Sequence, residues 1–191
     1  MKVIGINGSA RKDGNTSIII KAIFRELNKD GIETELIDLS NTKINGCIGC
    51  GNCFKNKNNK CVFKNDIVNE CIEKMIEADG IILGSPVYFA DVSANMKALL
   101  ERIGMVSSAN GDLFKHKVGA SVVAVRRGGA TRAFDTMNYF LHCTQMYLVG
   151  GTYWNMVYGK EVGEVLNDIE GMKNMESIGR NMAWLLNRIN R

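Results

Sequence analysis

Residues 2–17 read Lys2-Val3-Ile4-Gly5-Ile6-Asn7-Gly8-Ser9-Ala10-Arg11-Lys12-Asp13-Gly14-Asn15-Thr16-Ser17, an apolar run, a loop rich in glycine and hydroxyls, and the start of a helical pattern. Residues 2–7 read as a buried strand. From Asn15 to Leu27 the apolar residues Ile18, Ile19, Ala22, Ile23 and Leu27 recur on one helical face, with Asn15 or Thr16 as the cap. A phosphate lodged between such a strand and helix meets backbone N–H groups left unpaired by the first helical turn, and the positive end of the helix dipole. Ser9, Thr16 and Ser17 add hydroxyls, and Arg11 adds charge-assisted hydrogen bonds. The loop lacks the GxGxxG pattern of dinucleotide sites and the Gly-Lys-Ser/Thr ending of nucleoside-triphosphate sites. Three hydroxyls and an arginine suit a terminal monophosphate such as that of FMN.

Outward from this stretch, strand and helix patterns alternate along the chain. Residues 32–39 give a second strand, and Asp66 opens a helix to Ala78 through Ile67, Val68, Cys71, Ile72, Met75 and Ile76. Residues 80–85 predict a third strand, and 93–103 a helix carrying Met96, Leu99, Leu100 and Ile103. A fourth strand spans 117–125, followed by a helix through Phe134, Met137, Phe140 and Leu141. A short fifth strand near 147–153 precedes a polar passage and a final helix at about 169–189. Strands built from Val, Ile and small residues, each followed by a helix, indicate a parallel sheet covered on both faces. Five of them fit a flavodoxin-like doubly wound α/β sheet in one domain, residues 1–191, with a cysteine-rich excursion at 44–64 after the second strand. Ligands of such sheets bind beyond the carboxyl ends of the strands, where the strand order reverses.

Two more strand ends carry distinctive loops. The third strand runs into Gly84-Ser85-Pro86-Val87-Tyr88-Phe89-Ala90, where Pro86, the only proline, turns the backbone away from the sheet. Tyr88 and Phe89 then stand where a flat ring would lie. The fourth strand ends in Arg126-Arg127-Gly128-Gly129, whose glycines let backbone approach a planar ligand closely.

The excursion holds Cys47-x2-Cys50-x2-Cys53-x7-Cys61, a four-thiolate set suited to an iron–sulfur cluster or a structural zinc. Zinc usually gathers two separated pairs of ligands, whereas here three thiols share one tight turn, the pattern closer to a cluster; the alternatives are a loop that binds no metal, or a zinc-stabilised flavodoxin-like binding or regulatory module without redox turnover. Lys55, Lys57, Lys60 and Lys64 lie around the fourth thiol, where ammonium charge would favour a reduced cluster. Cys71 and Cys143 fall outside the spacing and read as small buried apolar residues. His116 and His142 have no partner nearby in sequence, and no Ser/His/Asp arrangement or acid–base carboxylate pair is evident.

Composition sets wider bounds. The chain has 191 residues, 46% hydrophobic and 23% charged, enough to bury a sizeable core. Its net charge of +4 is dispersed, with no basic run interleaved with aromatics, so nucleic-acid binding is not expected. No stretch approaches the roughly 18 apolar residues of a membrane span, and the N-terminus does not read as a signal peptide. A cytoplasmic protein follows as the expectation, and six cysteines in a reducing compartment argue for metal or redox use.

These residues together resemble the NADPH-dependent FMN reductase family of flavodoxin-like proteins, and within it the iron–sulfur flavoproteins. The motifs are Gly8-Ser9-x-Arg11 with Asn15-Thr16-Ser17, Gly84-Ser85-Pro86-Val87-Tyr88, and Gly128-Gly129. The resemblance implies that these loops hold, in order, the FMN phosphate, the isoalloxazine edge and its pyrimidine side. It makes Cys47, Cys50, Cys53 and Cys61 the ligands of a [4Fe–4S] cluster. It also implies an electron donor, NAD(P)H or a ferredoxin, and a homodimer or homotetramer with the flavin at a subunit interface. The helix from Met96 to Met105 and the Tyr153-Trp154 passage are the surfaces considered for that interface. Arg126-Arg127 depart from the small polar residues expected in the third loop.

Overall fold

The computed structural model describes residues 1–189. Along the chain run β1 (Lys2–Asn7), α1 (Asn15–Lys29), β2 (Glu33–Asp38), α2 (Asn52–Asn56), α3 (Val68–Glu77), β3 (Gly80–Pro86) and α4 (Ala94–Ala109). Then follow β4 (Val118–Val125), α5 (Ala130–Cys143), β5 (Tyr147–Leu148), β6 (Met156–Tyr158), a 3-10 turn at Glu164–Asn167, and α6 (Ile169–Ile189). All pairings between these strands are parallel, in the order β2-β1-β3-β4-β5, which is the flavodoxin-like doubly wound sheet. The order reverses at β1, whose two neighbours are β2 and β3. No helix among the described residues is long and apolar enough to cross a membrane.

Side chains alternate along the strands into two cores, as a sheet buried on both faces requires. Val3, Ile82, Val118, Ala120 and Val122 pack under α1 and α6, while Ile4, Ile6, Ile81, Leu83 and Val123 pack under α3, α4 and α5. Glycines on the first face let α1 lie close to the sheet. A Cβ on Gly5 would stand 2.6 Å from Ile20 Cγ2, and one on Gly84 would stand 2.6 Å from Ile20 Cδ1.

Three local expectations need correction. The fifth strand does not run unbroken through 147–153. β5 pairs only with Val118 and Gly119, and β6 takes over the same edge opposite Val123 to Val125. The chain between them loops out because the buried Asn174 of α6 captures it. Asn174 Oδ1 accepts from the N–H groups of Thr152 (2.7 Å) and Tyr153 (3.2 Å).

Cys143 is exposed, not buried. The buried face of α5 is Ala130, Ala133, Met137 and Leu141. Two residues past Leu141, at about 100° per residue, Cys143 has turned away from it. Helix α1 is capped by the backbone of Gly14 with no side-chain cap, since Asn15 is already helical and its side chain is engaged elsewhere.

α6 lies across α1 through Gly179. A Cβ there would stand 2.8 Å from the carbonyl oxygen of Ile23 and 2.6 Å from Glu26 Cβ. A backbone oxygen cannot swing aside as a flexible side chain can. Gly179→Ala is therefore expected to destabilise the fold by about 1–3 kcal/mol, the usual cost of overpacking. Urea denaturation measures this, and a midpoint equal to that of the wild type would contradict the close approach.

Candidate functional site

The loop after β1 is held from three sides. Gly8 donates its N–H to the carbonyl oxygen of Gly84 at the end of β3 (2.8 Å), and its own carbonyl accepts from Ser93 Oγ (2.5 Å). Ser93 also caps α4, accepting from the N–H of Met96 (3.2 Å), and donates its N–H to Ser85 Oγ (3.0 Å). Within the loop, Ser9 N–H donates to Asn7 Oδ1 (3.1 Å) and Arg11 N–H to Ser9 Oγ (3.0 Å). The loop thus wraps tightly at the carboxyl end of β1, beside the reversal of strand order where doubly wound sheets bind ligands.

Ser9, Arg11, Asn15, Thr16, Pro86, Val87, Tyr88 and Arg126 line one cleft of about 200 Å³. Residues of three strand-end loops therefore meet here, Arg126 being the one from the third. Ala124, Gly159 and Lys160 complete the lining. The last two belong to the polar passage, which carried no signal in sequence. What brings this passage to the cleft is Asn15, whose Nδ2 donates to the carbonyl of Glu161 (2.9 Å) and whose Oδ1 accepts from Gly163 N–H (2.8 Å).

The remaining residues of the motifs lie elsewhere. Ser17 is buried and its hydroxyl donates to the Gly14 carbonyl (2.9 Å). Ser85 is fully buried, its hydroxyl donating to the Pro86 carbonyl (2.8 Å), so it braces the loops from behind. Phe89 projects outward, fully exposed, on a tight turn closed by reciprocal backbone bonds between Tyr88 and Asp91. Phe89 (φ 48°) and Ala90 (φ 73°) both sit in the left-handed region, which is disfavoured for residues with a Cβ. Thr136 Oγ1 donates to Asp91 Oδ1 (2.7 Å), which fastens this turn to α5. Arg127, Gly128 and Gly129 line an adjoining cavity of about 330 Å³ with Tyr153, Trp154, Tyr158 and Asn174.

The cysteine segment packs along α4. Cys47, Cys50, Cys53 and Cys61 all line one cavity, with Ile48, Phe63, Arg102, Met105 and Val106. Gly49 (φ 64°) and Gly51 (φ 67°) take the left-handed turns between the first three thiols, where glycine carries little steric cost. Cys61 is gripped through its backbone by Asn69 of α3, which accepts its N–H (2.8 Å) and donates to its carbonyl (3.1 Å). Cys47 N–H donates to Glu101 Oε2 (3.3 Å) and Asn59 N–H to Asn110 Oδ1 (3.0 Å), both acceptors lying on or just after α4.

The charge at the fourth thiol comes from a residue the lysine run did not suggest. Lys55, Lys57, Lys60 and Lys64 are exposed, and Lys60 pairs with Glu73 (2.9 Å). Arg102, fully buried, donates from Nε to Cys61 Sγ (3.3 Å). Burial opposes its charge, but hydrogen bonds to Asp66 and Cys61 outweigh that and hold the guanidinium above its usual range. A signal existed in the sequence: Arg102 falls between Leu99, Ile103 and Val106 on the apolar face of the helix, where a charge requires a partner.

No group of three or more His, Cys, Asp or Glu side chains among the described residues is gathered closely enough to hold a single metal ion. In a tetrahedral zinc site with Zn–S of about 2.3 Å the sulfurs stand about 3.8 Å apart. In a four-iron cluster each thiolate binds its own iron, so the sulfurs surround the group rather than converge on a point. Four thiols lining one cavity are donors of the type that such a group takes.

The strand order defines a flavodoxin-like α/β protein, here with a strand-end cleft and a separate thiol-lined cavity. Residues 1–161 match the family described as NADPH-dependent FMN reductase, and the chain belongs to that family. It is 38% identical over 196 residues to an iron-sulfur flavoprotein of Methanocaldococcus jannaschii, with 99% of each chain covered. Among solved structures it resembles a flavone reductase (TM-score 0.74, 19% identity, 100% of this chain and 65% of that one). It also resembles a flavodoxin from the domain Archaea (TM-score 0.63, 15% identity, 98% and 99% covered).

The two cysteines outside the cavity are chemically unlike each other. Burial pushes the Cys71 thiol up to about 12, and Cys143 lies exposed at the end of α5. The thiolate is the reactive form, so Cys71 is expected to be inert in the folded protein. Iodoacetamide labelling with peptide mapping should modify Cys143 readily and Cys71 only after unfolding. Comparable labelling of both under native conditions would contradict the burial of Cys71.

Proposed function

We propose that the protein is an FMN-dependent oxidoreductase or electron-transfer flavoprotein with an accessory [4Fe–4S] cluster at Cys47, Cys50, Cys53 and Cys61. Electrons pass between a reduced donor, NAD(P)H or a ferredoxin, and an acceptor. The observation that carries this is the sharing of one rigid element by the two sites. Ser93, the cap of α4, fixes the phosphate loop, and Glu101 and Arg102 of the same helix hold the cysteine segment. Arg102 lies nine positions after Ser93, which at about 1.5 Å per residue is roughly 14 Å along the helix axis. Bound FMN would supply two-electron and hydride chemistry, and a cluster would supply single electrons.

The chain's own part is binding and orientation. Arg11 and the hydroxyls of Ser9 and Thr16 stand at the phosphate end of the cleft, where the first turn of α1 leaves N–H groups without helical partners. Pro86, Val87 and Tyr88 supply the wall for the ring edge, and Gly128-Gly129 the backbone for its pyrimidine side. Membership of the FMN reductase family supports an FMN oxidoreductase, and the name of the Methanocaldococcus relative supports the iron–sulfur group.

A homodimer or homotetramer is part of the same proposal. Tyr153 and Trp154 are exposed beside the Gly128-Gly129 cavity and suit an interface, as does Phe89. On the helix from Met96 to Met105, Met96 is fully buried in the core and Met105 is exposed, so the Met105 end is the part that suits one.

An anaerobic absorption spectrum with FMN, iron, sulfide and zinc assays tests the assignment. Flavin bands over a broad cluster absorbance are expected, with about four irons and four sulfides per chain. Zinc without sulfide would overturn the cluster, and protein prepared without flavin that fails to take up FMN would overturn the flavin. Arg11→Ala, at an exposed position, should weaken FMN by about tenfold to a hundredfold, from about 1.5–3 kcal/mol per hydrogen bond to a charged group. Isothermal titration measures it, and an unchanged affinity would remove Arg11 from the phosphate site.

A further inference from the structure

Arg102 sits in the middle of α4 with its side chain wholly buried, and every direction of its guanidinium is used. Nη1 and Nη2 form a two-pronged pair with Asp66, Nη1 to Oδ2 and Nη2 to Oδ1 (3.1 Å for the latter). Nη1 also donates to the carbonyl of Asn45 (3.4 Å) and Nη2 to that of Phe63 (3.5 Å). The Phe63 ring lies 5.1 Å from the guanidinium carbon. With the fork committed to Asp66 and two carbonyls, Nε is left for Cys61 Sγ at 3.3 Å. The plane of a guanidinium is rigid, so the contacts to Asp66 fix the direction in which Nε–H points.

We propose that Arg102 is the positioning residue for the fourth cysteine: it fastens Cys61 Sγ and, with Asp66, sets the reduction potential of the iron–sulfur group that the four thiolates hold. This role rests on the cluster assignment under Proposed function. Hydrogen bonds to ligand sulfur and nearby charge are the levers by which a protein tunes such a group. A reduced cluster carries more negative charge than an oxidised one. A donor and a positive charge at Cys61 Sγ therefore favour the reduced form, and the Asp66 carboxylate, held on the far side of the guanidinium, moderates that effect. The two members of the pair should act on the potential with opposite sign.

The experiment is a redox titration of the purified, cluster-loaded protein, followed by the absorbance and the paramagnetic resonance of the cluster. It compares wild type, Asp66→Asn, and the double variant Arg102→Met with Asp66→Asn, which leaves no unpaired buried charge. The double variant should be harder to reduce, its reduction equilibrium constant lowered about tenfold, which is about 59 mV for one electron. Asp66→Asn alone should be easier to reduce, because the charge of Arg102 is then unopposed. A merely structural pair would not shift the potential in opposite directions.

Loss of iron and sulfide from the double variant, with its helical circular dichroism intact, supports the fastening role, and Asp66→Asn then reads the potential. Potentials equal to wild type in variants with full iron and sulfide overturn the role of Arg102 and leave the cluster standing. A potential that moves the same way in both variants overturns it too. Wild-type protein without sulfide overturns the cluster itself and Arg102's role with it.

Discussion

The backbone of Gly8 is the point on which the site is hung. Its N–H goes to the end of β3 and its carbonyl to the cap of α4, so both polar groups are satisfied by elements far away in sequence. This pair of hydrogen bonds brings the chain so close that position 8 has no room for a side chain. A Cβ on Gly8 would stand 2.9 Å from Met96 Cε and 3.0 Å from the Gly84 carbonyl oxygen. Once this crossing is made, the loop after β1, the Pro86 turn and the start of α4 form one body. Ser85, which reads from sequence as a ligand-facing residue, serves this body from inside. Its buried hydroxyl bridges the Pro86 carbonyl and the Ser93 N–H.

α4 extends that body to the cysteines. Asn95 donates to the carbonyls of Leu39 (3.1 Å) and Thr42 (3.0 Å), holding the entry to the excursion. Arg102 holds both flanks of it, at Asn45 on one side and Cys61, Phe63 and Asp66 on the other. A segment with little regular structure of its own is kept in place by polar side chains from a helix that is already buried. Removing one partner of a buried ion pair typically costs about 3–5 kcal/mol, because the other charge is left uncompensated. The Arg102–Asp66 pair is thus costly to disturb, and it stands where the cysteine segment is fastened to α4.

The left-handed turn at Phe89-Ala90 is another local feature with an energetic cost. A turn with two successive positive φ values usually draws Asn and Gly, and here it carries neither. It persists because Asp91, bonded to Thr136 and Arg132 of α5 and to the backbone of Tyr88 and Val92, leaves the turn no other course. Tyr88 is thereby directed to the cleft and Phe89 to the outside. Adjacent aromatics in one motif acquire different environments.

What the amino-acid sequence by itself determined was whatever short-range pattern can encode. The alternation of Val- and Ile-rich strands with amphipathic helices specified a doubly wound parallel sheet. The loop at residues 8–17 was legible as a turn lining the cleft at the first strand end, and the cysteine spacing as four thiols around one cavity. What only the tertiary structure decided were the pairings between distant residues. The polar passage at Gly159 and Lys160 reaches the cleft because Asn15 binds it 146 and 148 residues away. The edge strand divides because Asn174 seizes the chain between its halves. The charge beside Cys61 is a buried arginine from another helix rather than the lysines next to it in sequence, since exposed ammonium groups stay with water while a buried guanidinium must be fully bonded.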